Sequence, residues 1–408
     1  MLYLQSICIY LQFLYKGSLL KKIGIVSLYY GNSNYGGQLQ AFALPFVLKK
    51  MGANAEQICF DRQIDELKTK CVKLKEAPIS GFPRAFASLC KYMGVSLGTK
   101  LVDSSLKNDI GLRKQAFSRF EQFIPHSDII YKDDTINKTA SVYDAFVCGS
   151  DVIWNAGVNP RISALGFVPD DRLKVAYAPS LGVGDIPSWW FDSYKDALAR
   201  LTAISVREKS IADELRTLMP NSEICVAADP TLLLSAKEWQ DVCRPQETKR
   251  YVFCYLLGDS KKQRIKAHDA AKALNLPLMT FPHITNNHFR LCDYNFGDIQ
   301  KYDADALDFI SLIRESEFVI TDSFHAVVFS TIFHKPFIAL DRINGNESKM
   351  GGRVRNYLKT IGLTAHLASN DHDTWSSYID QKDFSTADDR IEIMRNYSLD
   401  YLQKALEL

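Results

Sequence analysis

No apolar run in this sequence reaches the roughly 20 residues that a membrane-spanning helix needs, and neither charge is in excess. Forty-nine Lys and Arg stand against 47 Asp and Glu, a net charge of +2. Sequence-independent nucleic-acid binding depends on neutralising phosphates, so nothing here drives it, and no nucleic-acid partner is expected. No CxxC pair occurs among the nine cysteines at positions 8, 59, 71, 90, 148, 225, 243, 254 and 292. They are odd in number and scattered, and several lie in strand-like apolar runs (QICF, AFVCGS, VFCYLL). That usage reads as buried free thiols in a reducing compartment, which makes a cytoplasmic protein the expectation. The GxSxG elbow, the HExxH pair, GxGxxG and the P-loop are all missing, which removes the commonest hydrolase and nucleotide signatures. His283 and His288 stand five apart without a Cys or Asp cluster beside them, so no metal is expected.

What is present suits two filled cores. Of 408 residues, 47% are apolar and 24% charged, as in a soluble globular chain of about two domains. The first fifteen residues (MLYLQSICIYLQFLY) are uncharged, but the basic residues Lys16, Lys21 and Lys22 follow them rather than precede them, unlike a secretory signal. The segment reads as an interfacial membrane-associating stretch, as a packed strand or helix, or as an extension ahead of the native start. The third is favoured, because LKKIGIVSL from Leu20 already resembles the opening of an α/β domain.

From residue 22 short β-rich runs alternate with amphipathic helices. Strands are expected at 22–28, 56–60, 144–148, 174–178, 203–206 and 223–227, with helices near 38–51, 111–123 and 187–201. A second alternating block begins at 251, with strands at 251–257, 277–281, 318–321 and 335–340 and helices at 260–274, 303–315, 323–333 and 349–361. Strands alternating with helices of ten to fifteen residues imply parallel crossovers. The expected architecture is α/β: two Rossmann-like doubly wound domains facing a cleft. The division is an N-terminal extension (1–21), a first domain (22–240) interrupted by a helical insertion (62–110), and a second domain with C-terminal helices (241–408).

In open α/β sheets ligands bind beyond the carboxyl ends of strands, beside helix N-termini. Several such ends carry unusual polar residues. After the first strand comes YYGNSNYGGQ, where Asn34, Tyr35, Gly36 and Gly37 precede a helix and allow close backbone approach to an anion; a tight strand-to-helix turn explains the same residues. CGSDVIWN groups Ser150, Asp151, Trp154 and Asn155, a set suited to holding sugar hydroxyls under an aromatic face, or simply a cap and a core Trp. SVREKS offers Arg207, whose planar fork suits a carboxylate or phosphate, and Arg207, Glu208 and Lys209 equally fit a solvated helix start. Asp229-Pro230 follows the next strand, where the pair could merely shape a turn. In VITDSFHAVVFSTIFHKPF, Asp322 and Ser323 precede a helix with His325 in its first turn, placed to bind an anion or move a proton. From spacing alone the reading stops at a two-domain α/β enzyme binding an anionic ligand.

These segments in this order resemble the polysaccharide pyruvyl transferase family, through NYGGQLQAFAL (34–44), FVCGSDVIWN (146–155), AYAPSLG (176–182), ISVREKS (204–210), DPTLLL (229–234) and VITDSFHAVVFSTIFHKPF (319–337). Where members typically read GSDQIWN and TDSFHG, this chain has Val152 and Ala326, and the polar residues stay intact. The resemblance covers roughly residues 22–365. It implies a glycosyltransferase-B-like fold and transfer of a pyruvyl group from phosphoenolpyruvate onto a sugar of a surface glycan as a ketal, with no cofactor. It makes His325 and Arg207 the expected ligands of the donor anion, aided by Ser323 and with Lys335 and Arg353 as further cations. Asp151 is expected to orient a hydroxyl or to act as the general base, with Asp322 as competitor. Ser150, Trp154, Asn155 and the loop from Asn34 to Gly37 would face the acceptor. A lipid-linked acceptor would place the enzyme at the inner membrane face, with which the basic Lys16–Lys22 cluster is compatible. The rivals are a nucleotide-sugar-dependent glycosyltransferase on the same fold and a non-catalytic glycan-binding descendant.

Overall fold

The computed structural model describes residues 20–61, 104–155, 158–182, 185–246, 250–285, 288–341, 348–368 and 378–408. The N-terminal extension and most of the expected insertion lie outside the described residues. Two large sheets form, every strand pair within them parallel, beside a short antiparallel pair of Ile284–Thr285 with His288–Phe289. The first contains β1 (Lys22–Val26), β2 (Asn54–Gln57), β3 (Ala145–Cys148), β4 (Leu173–Ala176), β5 (Ala203–Val206) and β6 (Ile224–Val226), in the order β2-β1-β3-β4-β5-β6. The second contains β7 (Val252–Tyr255), β8 (Leu278–Thr280), β9 (Ile299–Gln300), β10 (Phe318–Thr321) and β11 (Phe337–Ala339), in the order β9-β8-β7-β10-β11. Central strands such as AFVC and FVIT are buried at every residue, because helices cover both faces of a parallel sheet. The strand order reverses between β1 and β3 in one sheet and between β7 and β10 in the other, the points beside which ligands bind in open α/β sheets.

The helices between the strands are α1 (Tyr35–Lys50), α2 (Ser104–Glu121), α3 (Ser188–Leu198), α4 (Lys209–Leu218), α5 (Ala236–Val242), α6 (Lys261–Ala273), α7 (Ala306–Glu315), α8 (Phe324–Ile332), α9 (Ser348–Ile361) and α10 (Ser385–Leu406). α2 begins within the stretch expected as an insertion, seven residues ahead of the helix expected at 111. α1 is buried almost all round because it lies between the two sheets. Pro45 within it has no N–H, which leaves the carbonyl of Ala41 without its helical partner. The side-chain amide of Gln57 donates to that carbonyl at 2.9 Å, and the Gln57 Oε1 accepts from the Ser27 hydroxyl at 2.8 Å. A defect in the helix is thus repaired from β2, and the repair also holds the residue that follows β1.

One apolar core runs from β1 through α1, α7 and α8 into the second sheet. Trp239 on α5 bridges it, with Phe42 at 6.1 Å and Phe329 at 5.0 Å between ring centroids. The last helix returns to the first sheet: Tyr401 donates to the Ala176 carbonyl at 2.9 Å, Ser398 accepts from the Ala228 N–H at 2.9 Å, and Arg395 reaches the Leu232 carbonyl at 2.9 Å. Residues expected to complete the second domain therefore also brace the first.

Candidate active site

The polar residues after β3, β5, β6 and β10 meet in one buried cluster. Arg207, one residue beyond β5, donates through Nη1 to Asp229 at 2.8 Å and through Nε to Glu208 at 3.1 Å. Asp151 lies 3.9 Å from the same Nη1, and the guanidinium carbon sits 4.3 Å from the Phe324 ring centroid. A guanidinium has five donors in one plane and a face that stacks, so it can serve three carboxylates and an aromatic ring together. Burial alone would lower the Arg207 pKa, but Glu208, Asp229 and Asp151 outweigh it and push it up. Nη2 has no hydrogen-bond partner.

Asp229 is the hub. One oxygen takes Arg207, and the other accepts from the Thr231 hydroxyl at 2.8 Å and its N–H at 3.1 Å. His325 faces it with Nε2 at 3.5 Å from Oδ2, too loosely to make a hydrogen bond. Burial would raise the Asp229 carboxyl, yet His325 and Arg207 hold it well below the ordinary carboxylate range. The carboxylate is therefore kept ionised in a dry site.

His325 is brought there by local structure at the end of β10. Thr321 donates to the Tyr255 carbonyl at 2.6 Å and accepts from the Ser323 N–H at 3.0 Å, which sets the turn into α8. No side chain caps α8, so its first-turn N–H groups are left to an anion. On its other side the ring lies against Gly36 at the start of α1: a Cβ built there would fall on Nδ1. A backbone from the first sheet thus approaches a side chain from the second at van der Waals range, which only glycine allows.

Asp151 carries the clearest backbone strain, with φ 56° and ψ −156°, a region essentially reserved for glycine. It is buried, with Oδ1 3.9 Å from Arg207 Nη1. Ser150 beside it donates to the Ala178 carbonyl at 2.7 Å and lies 3.5 Å from Asp229.

The other expected residues divide. Asp322 stands next to the cluster, but its two oxygens accept from the N–H groups of Leu257 (2.6 Å) and Gly258 (2.7 Å), so it ties the loop after β7 to the end of β10. Asn34 caps α1 by accepting from Gly37 at 3.3 Å. Trp154, expected to face a sugar, is instead fully buried: its indole donates to the Ser163 carbonyl at 3.0 Å, and the ring packs on Trp190. Asn155 is half-buried and donates to the Leu181 carbonyl at 3.3 Å. Tyr35 is also in the core, stacked on Phe309 at 4.7 Å, with its hydroxyl on the Ala304 carbonyl. Lys335 precedes β11 at its amino end, near Glu315 and Glu317, whereas the cluster gathers at carboxyl ends. Arg353 lies on α9 one turn before Tyr357, whose ring meets Phe324 at 5.6 Å. In sequence Asp229 reads as no more than a possible turn former, Glu208 fits a solvated helix start although it is buried, and nothing singles out Phe324. The signal for Asp229 was its position just past a strand, shared with all the others.

Among the described residues no group of three His, Cys, Asp or Glu side chains could hold a metal ion, and no helix is long and apolar enough to cross a membrane. The fold is shared with a Listeria monocytogenes protein described as a UDP-N-acetylglucosamine 2-epimerase, at a TM-score of 0.52 and 10% identity over 96% of this chain and 98% of that one. A UDP-GlcNAc 2-epimerase from Methanocaldococcus jannaschii (TM-score 0.47, 13% identity, 95% and 99% covered) and a glycosyltransferase from Streptomyces nogalater (0.44, 10%, 96% and 98%) are also similar. The architecture is accordingly α/β, two Rossmann-like units of the glycosyltransferase-B type. No curated protein matches the sequence. The model of one family, polysaccharide pyruvyl transferase, matches residues 34–344, a span that includes Gly36, Asp151, Arg207, Asp229 and His325, and the chain belongs to that family.

Proposed function

We propose that the protein transfers the pyruvyl group of phosphoenolpyruvate onto two hydroxyls of a glycan or lipid-linked sugar, as a cyclic ketal, and releases phosphate. The observation that carries this reading is the buried His325–Asp229–Arg207 cluster beside the uncapped N-terminus of α8. Phosphoenolpyruvate brings a phosphate and a carboxylate, and this corner offers cationic side chains and helix N–H groups to both. Arg207 keeps Nη2 and His325 keeps Nε2 without a hydrogen-bond partner, and these are the groups for the donor anion. Asp229, with Oδ2 3.5 Å from Nε2, is the carboxylate that faces the ring.

In the chemistry a proton adds to the methylene carbon, which becomes the methyl group, and C2 becomes electrophilic. One sugar hydroxyl adds at C2 and gives up its proton to a base, for which Asp151 is the candidate. The second hydroxyl displaces phosphate at the same carbon, and its proton leaves with the phosphate. Atoms and charge then balance without an oxidant or reductant. A lipid-linked acceptor would put the reaction at the inner membrane face.

The test is thermal unfolding with phosphoenolpyruvate and, separately, a panel of nucleotide sugars. A ligand at a hundredfold excess over its Kd stabilises the fold by about 2.7 kcal/mol. The expected result is a rise with phosphoenolpyruvate that disappears in His325→Ala. A rise with a nucleotide sugar alone would overturn the proposal and favour a glycosyltransferase.

A further inference from the structure

A second cationic group lies outside the cluster. Arg113 on α2 is 1% exposed, and all three of its guanidinium nitrogens are buried without a hydrogen-bond partner. The other buried arginines are matched, Arg207 by Asp229 and Glu208 and Arg264 by Asp293, and so is the half-buried Arg244, by Asp305 and Asp308. Among the described residues no carboxylate pairs with Arg113. Two π faces among the described residues lie against it, Tyr35 with its centroid 4.8 Å from the guanidinium carbon and Phe117 at 5.3 Å. Stacking on rings returns less than the loss of water and of five hydrogen bonds costs a guanidinium.

The position is informative. Tyr35 immediately precedes Gly36, which carries the His325 ring. It also packs against Tyr255 (5.7 Å), Phe281 (5.3 Å) and Phe309, at the carboxyl ends of β7 and β8 where the second sheet opens. The Tyr35–Phe309 stack joins α1 of the first half to α7 of the second, so the guanidinium over Tyr35 lies at the junction of the two halves.

We infer that Arg113 receives an anionic substituent, a phosphate or a carboxylate, of a ligand that enters the cleft beside His325. A bidentate anion supplies the acceptors the guanidinium lacks, and the neighbouring rings suit the faces of a sugar. Assigning that ligand as the acceptor, with its acid group on a carrier diphosphate or on a uronate, rests on the function proposed above. The anion site itself does not.

Isothermal titration of pyrophosphate and of galacturonate, without phosphoenolpyruvate, tests this on the full chain and on Arg113→Met, Arg113→Lys and His325→Ala. At least one probe binds the wild type and His325→Ala alike. That binding weakens at least about tenfold in Arg113→Met and by clearly less in Arg113→Lys, which keeps the charge but not the fork. Whichever probe binds identifies the diphosphate or the carboxylate as the source. In the absence of ligand Arg113→Met melts no lower than wild type, because a buried unmatched charge has gone and a flexible apolar chain fills the aromatic surround. Absence of binding by either probe, binding lost in His325→Ala but kept in Arg113→Met, or an Arg113→Met protein that does not fold each overturns the inference. A thermal shift with phosphoenolpyruvate is read separately, so the donor assignment and the Arg113 site can fail independently.

Discussion

His325 at the start of α8 and Asp229 just past β6 face each other across the two halves of the molecule, Nε2 to Oδ2, at 3.5 Å. Neither sheet alone contains both. The pairing therefore exists only while the second sheet is docked on the first, and the site is assembled by the same packing that forms the core around α1.

Replacing Asp229 with Asn tests that pairing. The amide keeps the shape but removes the charge that faces His325 and Arg207. Turnover is expected to fall by about 10²-fold or more, in line with the loss of a positioned acid–base group. Breaking a buried ion pair on one side also costs about 3 kcal/mol of stability. Steady-state kinetics together with denaturant unfolding check both effects, and an Asn variant with near-normal turnover would remove Asp229 from the mechanism.

Gly36→Ala separates function from stability. Alanine is the better helix former by roughly 1 kcal/mol, so a merely structural glycine would tolerate the change. Here the methyl group falls on the His325 ring, which must move. Activity is expected to drop by at least an order of magnitude, with a melting temperature that does not track the loss.

Arg207→Lys keeps a positive charge and loses the fork. One ammonium cannot hold Asp229 and Glu208 in the present geometry while stacking on Phe324. Activity should fall nearly as far as in Arg207→Ala, and equal activity of Lys and wild-type enzymes would show that charge alone suffices.

His366 makes stability depend on pH away from the site. Burial lowers its pKa from the ordinary 6.5, and the hydrogen bond it donates through Nδ1 to the Phe337 carbonyl, at 2.9 Å, only partly opposes this. A depressed folded pKa means that stability is complete above 6.5 and is lost as the pH falls through the folded value. Denaturant titrations from pH 8 to 5 should show this decline, reduced in His366→Phe, whose ring can take over the stacking on Phe337 at 4.2 Å. A decline of the same size in the variant would assign it to other groups.

The alternation of buried strands and helices was legible in the sequence, as were the polar strand ends. Apolar runs such as AISV and FVIT form Ala203–Val206 and Phe318–Thr321 with the expected bounds, since a strand covered on both faces must be apolar throughout. His325, Arg207, Asp151 and Ser150 were legible too, as polar residues just beyond such strands. Trp154 and Tyr35 were misjudged as ligand-facing because an aromatic residue beside a polar loop looks alike whether its ring turns outward or into the core. Lys335 was misplaced for a related reason: sequence shows that a cation flanks a strand, but parallel pairing decides which end of the sheet it occupies.

The sequence by itself determined the local elements and which strand ends carry polar residues, because these follow from periodicity and residue type within about ten neighbours. Only the tertiary structure decided which ends converge. Strand order and the seating of one sheet on the other bring Asp229, Arg207, Asp151, Gly36 and His325 within contact while sending other polar residues elsewhere. That choice depends on long-range packing around α1, which no short stretch of chain encodes.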